Sequence, residues 1–163
     1  MNLKQVRPDG LLKDVSDNFA TITRAFAGEV AAVMAPPTAS EPTVEVPVRS
    51  GLVIVPDDGA SGPIAMRLLD PTAAEDGQVL TLYTVAAVGH TLELYSLNED
   101  GEVDASKGFN GDGDYDTATW DGGDGDGAGA VAIGDMLQLV AYDGAWYVLG
   151  NTNVTLSASG GTG

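Results

Sequence analysis

Met136-Leu-Gln-Leu-Val-Ala-Tyr142 runs through Asp143-Gly144 into Ala145-Trp-Tyr-Val-Leu149. Two apolar runs joined by Asp-Gly give the strongest short-range hairpin signal, because a type I′ turn needs positive φ at both central residues. Another alternating run, Val154-Thr-Leu156, follows, and an acidic, glycine-rich loop precedes the hairpin. In the second arm Trp146 and Val148 share one face and Tyr147 and Leu149 the other, so one aromatic belongs to a core and the other to a rim or interface. This is the build of an assembly or binding module on a β scaffold.

Outward from the hairpin the chain continues to read as β. Leu52-Val-Ile-Val55 is a short buried run, and Ile64 to Leu69 a second strand. Asp76-Gly77 turns into Val79 to Val85, and Gly89-His90 leads to Thr91-Leu-Glu-Leu-Tyr95, whose alternation is that of a half-buried strand. Strands resume near Thr117 to Trp120 and Ala130 to Ile133. About eight short strands at this spacing predict an antiparallel β-sandwich or jelly-roll-like barrel. Gly77-Gln-Val-Leu-Thr-Leu and Gly134-Asp-Met-Leu-Gln-Leu echo one another. Two copies do not make a solenoid, and the echo reads as one hairpin-opening device used twice.

Ahead of the β region, residues 1–13 look like an extended arm, with Pro8-Asp9-Gly10 as a turn. Val15, Phe19, Ile22, Phe26, Val30 and Val33 then recur at the 3.6 period and predict an amphipathic helix, with Asp14 or Ser16 as N-cap and Pro36-Pro37 as its stop. At ~1.5 Å per residue such a helix is about 28 Å long. A heptad reading places Glu29 in the seam, a flaw for a coiled coil. Packing on the chain's own β domain and packing on symmetry mates or another protein both stay open. The organisation is therefore an attachment or oligomerisation segment over 1–34, a Pro-rich solvated linker over 35–47, and a β domain over 48–157 with an acidic loop at 110–127. A flexible tail over 158–163 completes it.

Composition bounds the function. Twenty-four acidic against 7 basic residues give a net charge of -17, which disfavours nucleic acid and anionic membranes as partners. The chain has no cysteine, which excludes disulfides, thiolate metal sites and a thiol nucleophile. Its start lacks the apolar run of a signal peptide, and Ala25 to Pro37 is too short and broken to span a bilayer, so a soluble protein made in the cytoplasm is expected.

One constellation could carry chemistry. Asp112, Asp114, Asp116, Asp121, Asp124 and Asp126 stand on a glycine-spaced backbone, the oxygen-rich, pliant setting that Ca²⁺ prefers. An EF-hand register started at Asp112 fails, because Thr117 takes the glycine position and Gly123 the glutamate position. A solvated loop is the competing reading, and no other cofactor is implied. His90, the single histidine, sits beside Gly89 in a predicted turn, and neither a nucleophile elbow nor a phosphate loop occurs, so no enzyme activity is expected. Trp120, Tyr142, Trp146 and Tyr147 could supply a sugar-stacking surface, with Trp120 and Tyr147 the exposed pair.

The segment from Thr117-Ala-Thr-Trp120 through Gly134-Asp-Met-Leu-Gln-Leu-Val-Ala-Tyr-Asp-Gly-Ala-Trp-Tyr-Val-Leu149 to Ser157 resembles a module of tailed-bacteriophage head fibres and capsid decoration (cement) proteins. In that family such a hairpin closes a β domain. The resemblance covers roughly the last 45 residues, with the acidic insertion between Asn110 and Gly127 a departure from it. It implies a virion structural protein on the outer capsid surface, a homotrimer whose partners are itself and the major capsid protein. On this reading Lys4, Arg7 and Lys13 of the arm dock on an acidic capsid surface, while the stripe from Val15 to Val33 makes oligomer or capsid contacts. A receptor- or glycan-binding fibre tip, dependent on Ca²⁺, is the alternative.

Overall fold

Strand alternation and turn chemistry decide most of the architecture. The computed structural model describes residues 30–60, 62–121 and 131–158. Its strands are β1 (Val30–Val33), β2 (Thr43–Glu45), β3 (Gly51–Val55), β4 (Ala65–Leu69), β5 (Val79–Thr84) and β6 (Thr91–Leu97), followed by β7 (Val103–Asp104), β8 (Thr117–Trp120), β9 (Met136–Tyr142), β10 (Ala145–Thr152) and β11 (Val154–Ser157). One sheet has the order β1-β3-β5-β9-β10 and the other β11-β8-β6-β4-β2, with β7 paired to β6.

The first six strands alternate between the two sheets, and every neighbouring pair among them within a sheet is parallel. The chain thus winds around the core in three flattened coils. It then reverses: β8 pairs antiparallel with β6, β9 with β5, β10 with β9 and β11 with β8. The fold is mainly β as expected, but the antiparallel β-sandwich or jelly-roll-like barrel is corrected to two mixed sheets that do not close into a barrel. Parallel pairing here leaves no sequence mark, because the coils differ in length and share no repeat; the half-buried alternation is the same for either direction.

Inward-facing residues fill one core. Val53, Leu82 and Leu137 lie in one cross-strand row of the first sheet, and Met66, Leu92 and Ala118 in one row of the second. All six are buried in a single cluster with Trp146, Phe109 and Trp120. Each buried leucine contributes about 1.5–3 kcal/mol of transfer free energy.

The Asp143-Gly144 hairpin forms as read, with φ of 49° and 72° at its two central residues and Ala145 opposite Tyr142. The sequence echo pairs with itself. Leu80 faces Leu139 and Leu82 faces Leu137, while the Gly77 N–H donates to Ala141 O and the Gly134 N–H to Thr84 O. Each entry glycine, at φ 83° and 102°, therefore closes the far end of the other strand in a local two-fold arrangement.

Three further expectations are corrected. Val30 and Val33 end the predicted helical stripe, yet they belong to β1, whose partner β3 and the Met34 N–H to Ile54 O bond satisfy the backbone. A four-residue apolar run carries too little periodicity to resist that sheet pairing. The remainder of the predicted helix, with Val15, Phe19, Ile22 and Phe26, lies outside the described residues, as do Lys4, Arg7 and Lys13. The linker over 35–47 is not solvated throughout, since Thr43–Glu45 pairs with β4 and Val46 is buried. Of Ala130 to Ile133, the described part is a turn and not a strand. Asp135 Oδ2 accepts the Ala132 N–H at 2.7 Å, which directs that backbone into the Gly134 turn.

Candidate functional site

The two sheets differ sharply on their outer faces. In the second sheet Glu45, Arg67 and Glu93 form one cross-strand row. Arg67 Nε lies 3.0 Å from Glu45 Oε2, the Tyr95 hydroxyl donates to the same oxygen at 2.9 Å, and the guanidinium stacks over the Tyr95 ring. The first sheet is the opposite case. None of its five strands contains an Asp, Glu, Lys, Arg or His. Alternation turns Leu52, Ile54, Val79, Tyr83, Met136, Val140, Tyr142, Tyr147 and Leu149 outward. Leu52 lies opposite Thr81 and Ile54 opposite Tyr83. Val140 faces Val79 on one side and Tyr147 on the other. Tyr142 and Leu149 are 62% and 56% exposed, and Val33 at the β1 edge is 58% exposed. A chain of net charge -17 has kept all charge off this surface.

The hairpin tip beside this face is pinned from several directions. The Asp143 N–H donates to Asp76 Oδ1 at 3.0 Å, and Lys107 Nζ donates to Asp143 O at 2.9 Å. Trp146 Nε1 crosses the core to donate to Leu69 O at 3.0 Å, and Arg49 Nη1 donates to that same carbonyl at 2.8 Å. Asp70, next to it, accepts the Ser106 hydroxyl and the Lys107 N–H, both at 2.7 Å. Burial pushes the Asp70 carboxyl above the usual carboxylate range, against the lowering effect of those two bonds. A cavity of about 260 Å³ opens here, lined by Asp70, Thr72, Ser96, Lys107 and Gly144 among others. Asp70, Thr72 and Lys107 are already engaged within the protein, so it reads as a seam between the hairpin tip and the loop ahead of β8.

That loop carries the acidic segment. Phe109 is fully buried and its N–H donates to Tyr115 O, while the Gly113 N–H donates to Lys107 O. Asn110, at φ 60°, covers the outer edge of β10: its N–H donates to Trp146 O and its Oδ1 accepts the Val148 N–H. A turn docked in this way protects a strand edge that would otherwise pair with another chain.

Four of the six aspartates fall among the described residues, strung along the turn and β8. Asp112 and Asp114 are exposed near the turn. Asp116 Oδ1 accepts the Thr117 hydroxyl at the start of β8, and Asp121 Oδ1 accepts the Thr155 hydroxyl at its end. Five strand residues of ~3.3 Å separate those two by about 16 Å. Asp124 and Asp126 lie outside the described residues. Among the described residues no three His, Cys, Asp or Glu side chains gather as a metal site.

The aromatics sort by face. Trp120 is 1% exposed, packed edge-on against His90, and is no surface aromatic. It sits on the inner face of the second sheet and Tyr147 on the outer face of the first, so the two cannot form one stacking platform. Tyr147 meets Tyr142 at 5.9 Å and 69°, an edge-to-face pair and not a flat shelf. His90 is buried, its Nδ1 accepting the Ile64 N–H at 3.1 Å. Nε2 must then carry the proton toward Thr84 Oγ1 at 3.1 Å, and the Thr84 hydroxyl donates to Ala86 O. Burial holds this imidazole below its usual range, opposed by the Asp57 carboxylate. It is a structural pin between loops.

No protein-family model, curated protein or solved structure matches the chain. Among the described residues, no helix is long and apolar enough to cross a membrane. The charge-free sheet face is a candidate feature that sequence reading missed. Its signal was available, because every run assigned to that sheet lacked an ionisable residue, but which runs share a sheet was not.

Proposed function

We propose that this protein is a virion structural protein that decorates and stabilises the outer surface of a tailed-phage capsid as a homotrimer. The observation that carries the reading is charge segregation: one whole sheet face is uncharged and largely apolar on an otherwise acidic chain. Such a face belongs to assembly rather than to turnover, because burying it on a partner removes apolar area from water without desolvating a charge. The β domain, sandwich-like in its two sheets, presents that face. The hairpin's resemblance to decoration and head-fibre modules supplies the class of assembly. Arg49, Arg67 and Lys107 are each engaged by carbonyls or carboxylates of the β domain. The remaining basic residues, Lys4, Arg7, Lys13 and Arg24, all precede β1 and are the ones that would meet an acidic capsid surface.

Binding to the assembled lattice, and not to free subunits, would stabilise the head by mass action. The test is co-sedimentation with expanded capsids lacking decoration, followed by heat and osmotic challenge. Saturable binding with raised resistance is expected. Capsids that neither retain the protein nor gain resistance would refute the reading.

A further inference from the structure

We infer that the Asp70–Pro71 peptide bond is a self-scission site, cut in mild acid by the side chain of Asp70. This is the one Asp-Pro step in the sequence. Proline makes it labile, because the tertiary amide nitrogen is more basic than a secondary one and leaves more readily when protonated. An Asp70 carboxyl oxygen attacks the Asp70 backbone carbonyl carbon and closes a cyclic anhydride. The C–N bond to Pro71 breaks, its electron pair stays on the Pro71 nitrogen, and that nitrogen takes the proton the carboxyl gives up. Water then opens the anhydride, leaving two free carboxyls on Asp70 and a free amine on Pro71.

The fold supplies what a free peptide lacks. The Ser106 hydroxyl and the Lys107 N–H, both at 2.7 Å, hold the carboxyl, which no longer rotates freely beside its own carbonyl. Arg49 Nη1 reaches Asp70 O at 3.4 Å while bonding Leu69 O at 2.8 Å, so a cation stands where the attacked oxygen gains charge. The Asp70 N–H donates to Tyr95 O at 2.7 Å and fixes the backbone on the near side of the bond. Asp70 is 8% exposed, yet Asp70 and Pro71 both line the cavity of about 260 Å³, which has room for the water of the second step. The charged groups facing the carboxyl are Lys107 from the loop ahead of β8 and Arg49 from the loop after β2, with Glu75 of the following turn 4.0 Å from Arg49. Burial outweighs both cations, so the neutral carboxyl persists to higher pH than in an unfolded chain. That is the reactive form, because scission uses both its oxygen and its proton. The cut pieces stay joined, since β3 remains paired to β5 and β4 to β6, and they separate only on denaturation.

The test incubates the full chain at about pH 5, above the ordinary aspartate value, beside the same chain unfolded in urea, and reads masses after denaturation. Fragments 1–70 and 71–163 are expected, forming at least about tenfold faster in the folded chain than in urea. Asp70→Asn and Pro71→Ala should each slow the cut by about tenfold or more, the first by removing the attacking acid and the second by making a poorer leaving group. Arg49→Gln, which keeps a donor but not the charge, should slow it about fivefold. Equal rates in the folded and unfolded chain overturn the inference, because the fold would then contribute nothing. Fragments that persist undiminished in Asp70→Asn overturn it too, since another agent would be making the cut. Should Asp70→Asn fail to fold, Pro71→Ala decides, because it keeps the whole carboxyl cluster, and an unchanged rate there overturns the inference. So does a parent chain that stays whole from about pH 4 to about pH 6.

Discussion

Leu69 O is the point where the two sheets are tied together, and it makes a sharp test of the packing. It accepts Trp146 Nε1 at 3.0 Å from across the core and Arg49 Nη1 at 2.8 Å from the loop after β2. Replacing Trp146 by Phe keeps an aromatic ring but removes one donor and part of the ring volume at a fully buried site. The lost bond is worth about 1 kcal/mol net, and the unfilled volume about 1–2 kcal/mol more. Arg49→Ala removes the other donor from a partly exposed side chain and should cost about 1 kcal/mol. Either single change leaves the carbonyl with one partner. The double variant leaves it with neither, so its loss should exceed the sum of the singles by about 1 kcal/mol. The cycle cancels the separate Arg49 contact to Glu75, which at 4.0 Å and partial exposure is worth little. Urea unfolding reads the result. In both Trp146→Phe chains Trp120 remains as the buried fluorophore. Losses that add within about 0.3 kcal/mol would refute the reasoning, because the shared acceptor would then not couple the two donors.

Trp120→Phe should cost less than Trp146→Phe, about 1 kcal/mol or under, because Trp120 Nε1 is buried without a hydrogen-bond partner among the described residues and its removal relieves an unsatisfied donor; matched urea midpoints check the order. Gly144→Ala should lower stability by about 1–2 kcal/mol in the same assay. It places a side chain at φ 72° and drives its Cβ to 2.7 Å from Lys107 Nζ, which must leave Asp143 O. For His90 the folded-state pKa lies below 6.5, so the unfolded chain binds the extra proton first. Its contribution is complete above 6.5 and is lost as pH falls from there through the folded value, while His90→Gln, whose amide can keep both bonds, should flatten that part of the pH profile. Titrating Ca²⁺ while following the unfolding temperature tests the aspartate loop, where a saturable rise would establish a cation site and an unchanged midpoint a solvated loop.

What the sequence by itself determined was local. Asp143-Gly144 forces the hairpin because only residues tolerant of positive φ fit both central positions, and the observed angles are of that kind. Alternation assigned the inner face of β6, where Leu92 and Leu94 are buried, whereas in the all-apolar Leu52–Val55 run only the sheet turned Val53 and Val55 inward. The partition of Trp146 inward and Tyr147 outward followed from the same rule. Strand direction and partnership belonged to the tertiary structure. Alternation is identical in parallel and antiparallel strands, so nothing in Leu52-Val-Ile-Val55 announces that it lies parallel to β5. Val30–Val33 matched a helical stripe until a neighbouring strand supplied backbone partners, and Trp120 counted as a surface aromatic until the second sheet enclosed it. The charge-free face is the same lesson at larger scale. Each strand's lack of charge is a property of sequence, but a face exists only when β1, β3, β5, β9 and β10 are laid side by side, and distant pairing alone does that.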